Sequence, residues 1–117
     1  MSNTAQALRA YASAQSARDP REQEAEVFRH ANALLRRARE GDAGMRLRAL
    51  ADNGRLWGSV IDLLHDPQNA LPAELRAAIV SVGLAVQREM RVASPDFAFL
   101  IAVNENIAAG LAGEGAR

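Results

Sequence analysis

Apolar residues in this chain recur every three or four positions, never in the strict alternation of a half-buried strand. Each periodic stretch is bounded by proline, glycine or a capping side chain. That pattern predicts an all-α fold, a compact bundle of about five helices in a single domain spanning residues 1–117. The first segment, residues 4–15, opens at Asn3 with Gln6 three positions on, and only Leu8 and Tyr11 carry bulk among its alanines. Burying both contributes about 3 to 6 kcal/mol before ordering costs, so residues 1–18 are expected to form a loosely held helix that orders on a partner.

The second segment starts at Asp19-Pro20-Arg21-Glu22, where aspartate caps and proline suits the first helical position. It sets Val27, Phe28, Ala31, Leu34, Leu35 and Ala38 on one face. Gly41 stops it, Asp42 caps a third segment over residues 43–65, and Pro67 closes that one. Met45, Ala49, Asn53, Trp57, Val60 and Leu64 line one side of the third segment, while Gly54 and Gly58 offer a neighbouring face for close helix approach or a kink. The fourth, about residues 71–92, is apolar nearly all round, with Leu75, Ile79, Val82, Val86 and Met90 facing inward, and is therefore expected at the centre of the bundle. The fifth follows Ser94-Pro95-Asp96, with Ser94 read as a cap, and runs to Leu111 with Phe97, Leu100, Ile101, Ala108 and Leu111 turned inward. Residues 112–117 are expected to fray.

Composition narrows the functional classes. No cysteine is present, which removes disulfides, thiolate nucleophiles and sulfur-ligated zinc. His30 and His65 stand apart with no carboxylate cluster at ligand spacing, the serines lack a nucleophile setting, and the Gly41–Gly44 stretch lacks the lysine of a phosphate loop. No catalytic, metal or cofactor residue is assigned, and the chain is read as not an enzyme. The N-terminus shows no export signal and no stretch approaches the roughly 20 apolar residues of a membrane span, so a cytoplasmic location is expected. All 14 basic residues are arginine, balanced by 14 acids. Seven of those arginines crowd residues 29–55 against three acids, leaving Arg36, Arg37, Arg39, Arg46, Arg48 and Arg55 as a candidate nucleic-acid patch.

Several pieces in register carry a family resemblance. They are Tyr11 after an alanine-rich start, Pro20-Arg21-Glu22 with Glu24-Ala25, Asn53-Gly54-Arg55-Leu56-Trp57, Leu71-Pro72 with Leu75-Arg76, and Ile107-Ala108-Ala109-Gly110-Leu111. Together they resemble the FlaF family of flagellar regulators and flagellin-secretion chaperones over nearly the whole chain. The resemblance implies that flagellin is the client, kept competent for secretion, and that a partner regulator, FlbT, links flagellin synthesis to filament assembly.

Read with the residues, it leads to one expectation: a helical protein that covers an amphipathic stripe of unexported flagellin with its own surplus apolar surface. The expected contact residues are Leu8 and Tyr11 on segment one, and Phe99, Val103 and Ile107, a second apolar row on segment five. Trp57 joins them as a hot-spot residue type, with core packing as the competing reading, and Asn53 as a donor and acceptor for a partner backbone, with an internal helix-end or loop carbonyl as the competing partner. The alternative function is binding of flagellin message through the arginine patch.

Overall fold

The computed structural model of the chain describes residues 4–9 and 20–113. Among these residues there are five helices and no strand: α1 (residues 4–9), α2 (Pro20–Arg39), α3 (Ala43–His65), α4 (Ala73–Met90) and α5 (Phe97–Leu111). Every described residue of α1 is exposed.

Local chemistry sets most of the boundaries. Pro20 is the first residue of α2; its expected cap, Asp19, lies outside the described residues. Asp42 caps α3, its Oδ1 accepting from the Met45 amide at 2.9 Å, and the helix runs unbroken through both glycines to His65. The turn after it is tied by Asn69, whose amide group donates to the Leu63 carbonyl at 3.0 Å while its Oδ1 accepts from the Leu71 amide at 3.0 Å. The cap of α5 is Asp96 and not Ser94: Asp96 Oδ1 accepts from the Phe99 amide at 3.1 Å. Pro95 therefore precedes the helix, which starts one residue beyond the aspartate. At the other end Gly113, with φ 82°, adopts the left-handed conformation that terminates helices.

The core is shared by α2, α3 and α5, with α4 at its margin. α2 packs most extensively along α5, α3 lies against α2, and α4 leans on α3 while barely touching α5. Leu35, Trp57, Val86 and Leu100 are wholly enclosed, and the Phe28 and Trp57 rings meet edge to face at 5.5 Å. The expectation that α4 sits at the centre is overturned. It fully buries only Gly83 and Val86, whereas α2 buries six residues. Uniform apolarity misled because it does not record how many neighbours a helix meets: on α4, Leu75 and Leu84 are exposed, and Ile79, Val82 and Met90 are only partly covered. Leu75 and Val27, both read as inward, are exposed.

The glycine that permits close helix approach is Gly83 of α4. A Cβ there would stand 2.9 Å from Trp57 Cε3 and 3.0 Å from Ile61 Cδ1. Gly54 and Gly58, read for that role from the sequence, face only a distant Met90 methyl and open space respectively.

Candidate functional site

The divergence of α4 from α5 leaves a trough at the end of the bundle where α2 begins and α5 finishes. Its two connected hollows share Arg21, Leu71, Ile79, Ile107 and Leu111. The larger, about 320 Å³, continues over Leu75, Asn106 and Gly110. The smaller, about 170 Å³, reaches over Val60, Leu63 and Leu64 to the edge of Phe28. Its walls are aliphatic, and its rim carries the Arg21–Glu24 ion pair at 2.9 Å with Asn69 and Asn106. Leu63 and Leu75 stand on its lips, exposed at 60% and 46%. Such a channel suits an apolar helical stripe, with polar groups only at the border to fix its position.

Of the residues singled out from the sequence, Ile107 lines this trough. Val103, like Ile107, is partly covered and packed against the core, but it lines neither hollow. Phe99 remains exposed at 38% and Leu8 at 65%, neither against the trough; Tyr11 lies outside the described residues. Asn53 and Trp57 are corrected outright, because both are fully buried and unreachable by a partner.

They belong instead to a buried polar chain. Trp57 Nε1 donates to Asn104 Oδ1 at 2.9 Å, Asn104 Nδ2 donates to Asn53 Oδ1 at 2.8 Å, and Asn53 Nδ2 donates to Met90 Sδ at 3.4 Å. Nearby, Asn32 Nδ2 donates to the Ile101 carbonyl at 3.0 Å. Four helices are thereby locked in register, since each amide finds its partner at only one relative setting. Asn32 and Asn104 carried no local signal. Asn32 lies between two alanines and Asn104 between Val103 and Glu105, and they meet partners 47 to 69 residues away.

The arginines do not form one surface. Arg36 pairs with Glu105 of α5 and Arg55 with Asp52. Arg39 and Arg46 flank a different crevice beside Asp96, where Arg46 donates to the Arg39 carbonyl at 3.5 Å, and Arg37 and Arg48 border a third with Asp52. Glu26, at helical pairing distance from His30 in sequence, bonds Arg29 at 2.9 Å. Among the described residues there is no grouping of three or more potential metal ligands, and no helix is long and apolar enough to cross a membrane.

A family model described as flagellar protein FlaF matches residues 7–111. The chain belongs to the FlaF family. Neither a curated protein nor a solved structure gives a significant match. Within this FlaF-family fold the pieces that carried the resemblance divide into two sets. Asn53 and Trp57 hold the interior together, while Leu71, Ile107, Gly110 and Leu111 line the trough. Leu63, Leu75, Ile79 and Leu111 were not marked as site residues from the sequence. The excess of apolar residues on α4 over what one core face requires bore on Leu75 and Ile79; Leu63 of α3 and Leu111 of α5 had no such signal.

Proposed function

We propose that this protein is a flagellin-binding secretion chaperone, acting in the cytoplasm as a regulator of flagellum assembly by shielding an amphipathic helix of unexported flagellin. The observation that carries the reading is the aliphatic trough between α4 and α5, left open in a chain whose family is flagellar. An exported subunit waiting in solution exposes an apolar stripe that would self-associate, and a helix laid between Leu71, Ile79, Ile107 and Leu111 hides it. The contact is small, below the roughly 1,600 Å² of a standard interface, which keeps release at the export apparatus fast. FlbT enters the same proposal as the second partner, reading whether the chaperone is occupied.

The test is calorimetry of the full chain with flagellin truncated at either terminus. One truncation is expected to abolish binding and the other to preserve it, with a negative heat-capacity change and little dependence on salt. Absence of binding to every form of flagellin at tens of micromolar sinks the reading. A steep loss of affinity for flagellin message with rising salt would instead favour the arginine surface, although the pairing of Arg36 and Arg55 with acids weighs against it.

A further inference from the structure

α4 has a second unpartnered face, turned away from the trough. Glu74, Ala77, Ser81, Leu84 and Arg88 follow one another at intervals of three or four, so they form a single stripe along the helix, and all five are exposed. Ala78 and Ala85 flank the stripe. Its middle is therefore small and apolar, with one large residue, Leu84, exposed at 46%. Its ends carry opposite charges, and neither Glu74 nor Arg88 has an ion pair among the described residues, although other acids and arginines of the chain do.

The order of these residues is self-complementary about Ser81. Glu74 lies seven positions before it and Arg88 seven after; Ala77 lies four before and Ala85 four after; Ala78 lies three before and Leu84 three after. A two-fold axis through Ser81, running two copies antiparallel, sets each Glu74 opposite the other copy's Arg88 and each Leu84 against the other copy's alanines. A parallel pairing would set glutamate against glutamate and arginine against arginine. Alanine and serine at the crossing allow the close backbone approach that such a pair needs, and an isologous two-fold contact is the ordinary way a soluble chain assembles with itself.

We infer that α4 is the dimerisation helix of this protein, pairing antiparallel with α4 of a second copy about a two-fold axis at Ser81. The pairing explains why a helix apolar nearly all round sits at the margin of its own bundle: the second copy covers the side that the monomer leaves open. It does not depend on the trough, which lies on the other side of α4, nor on the proposed client. One alanine-rich helix pair buries less than a standard interface of roughly 1,600 Å², so the dimer is weak, with a Kd on the order of 10 to 100 µM.

Sedimentation of the full chain from about 5 µM to about 1 mM tests this, with charge reversals chosen to distinguish the arrangement. Glu74→Arg alone and Arg88→Glu alone each place like charges opposite one another twice per dimer and are expected to weaken association at least tenfold. An equimolar mixture of the two variants places opposite charges at both ends and is expected to dimerise as well as the parent. The chain has no cysteine of its own, so Ser81→Cys provides a second measurement. At the axis the two thiols meet and oxidise to a disulfide-linked dimer, whereas Glu74→Cys stands about 21 Å along the helix from the equivalent residue of the other copy and stays unlinked. A monomer throughout the concentration range, failure of the mixture to restore association, or equal cross-linking of both cysteine variants overturns the inference. All the substituted positions are exposed, and unchanged helical circular dichroism verifies that each variant is folded.

Discussion

Replacing Asn104 with leucine separates the buried polar chain from ordinary packing, because the two side chains are similar in size and the change removes hydrogen bonds without opening a large cavity. Asn104 is the middle link: its Oδ1 accepts from Trp57 Nε1 and its Nδ2 donates to Asn53 Oδ1, all within a fully enclosed site. Asn104→Leu leaves the indole N–H and the Asn53 carbonyl oxygen buried without partners. Each orphaned group costs about 1 to 3 kcal/mol, which puts the loss near 4 kcal/mol. Against a total stability of about 5 to 15 kcal/mol that is severe, and for a helical core of this size it corresponds to a fall in Tm of roughly 20 °C. Urea titration followed by circular dichroism measures it directly.

A double-mutant cycle makes the cause explicit. Trp57→Phe removes the donor, keeps an aromatic ring against Phe28, and strands Asn104 Oδ1. When both substitutions are present the indole N–H and the Asn104 oxygen are both gone, so the double variant is expected to be more stable than the summed single losses imply, by roughly 2 kcal/mol. If the two losses add to within about 0.5 kcal/mol, or if Asn104→Leu alone costs less than about 1 kcal/mol, the network does not hold the helices as described.

Three further outcomes are expected. Gly58→Ala faces open space and should stabilise the protein by up to about 1 kcal/mol through helix propensity, whereas Gly83→Val, pressed on Trp57 and Ile61, should destabilise it by about 2 kcal/mol or more; paired urea melts give both signs. Asp96→Ala should lower stability by about 1 kcal/mol in the same measurement through loss of the α5 cap, with Ser94→Ala close to neutral. Leu75→Asp on the lip of the trough should weaken flagellin binding in calorimetry about tenfold or more while leaving stability within about 0.5 kcal/mol of the parent.

The parts of the fold legible in the sequence are those fixed by residues close together in the chain. Asp42 capping, the proline after His65 and the apolar row through Ala49, Trp57 and Leu64 depend on neighbours within a turn or two, and α3 begins and ends where those signals place it. The misread features depend on angles between helices. Whether α4 is enclosed, whether Leu75 points into a core or over a groove, and which glycine seats a neighbouring helix are decided by how α4 crosses α3 and diverges from α5. No local period records that. Asn32 and Asn104 illustrate the same limit: the role of either asparagine is legible only once its partner on another helix is known. Of the trough, Ile107 was visible as surplus apolar surface on α5, but Leu71, Ile79 and Leu111 become its walls only because the seam between α4 and α5 fails to close.

That open seam and the polar chain are two sides of one division of labour among the helices. A small core gains specificity where amides interlock, and here the interlocking amides and the largest side chains belong to α2, α3 and α5. α4 is joined to them by the contact of Gly83 with Trp57 and Ile61 and by the Asn53–Met90 hydrogen bond, all on the side facing α3. Val86 is enclosed in the core, with Ile79 and Val82 packed against it, and the exposed residues on the opposite side of α4 can serve contacts with other chains without cost to the register of the bundle. The trough lies along the attached side, where Ile79 stands one turn before Gly83, and the Ser81 stripe lies on the opposite side. Client binding and self-association therefore occupy the same helix without competing for the same side chains, and a substitution such as Leu75→Asp should alter the first while leaving the second unchanged.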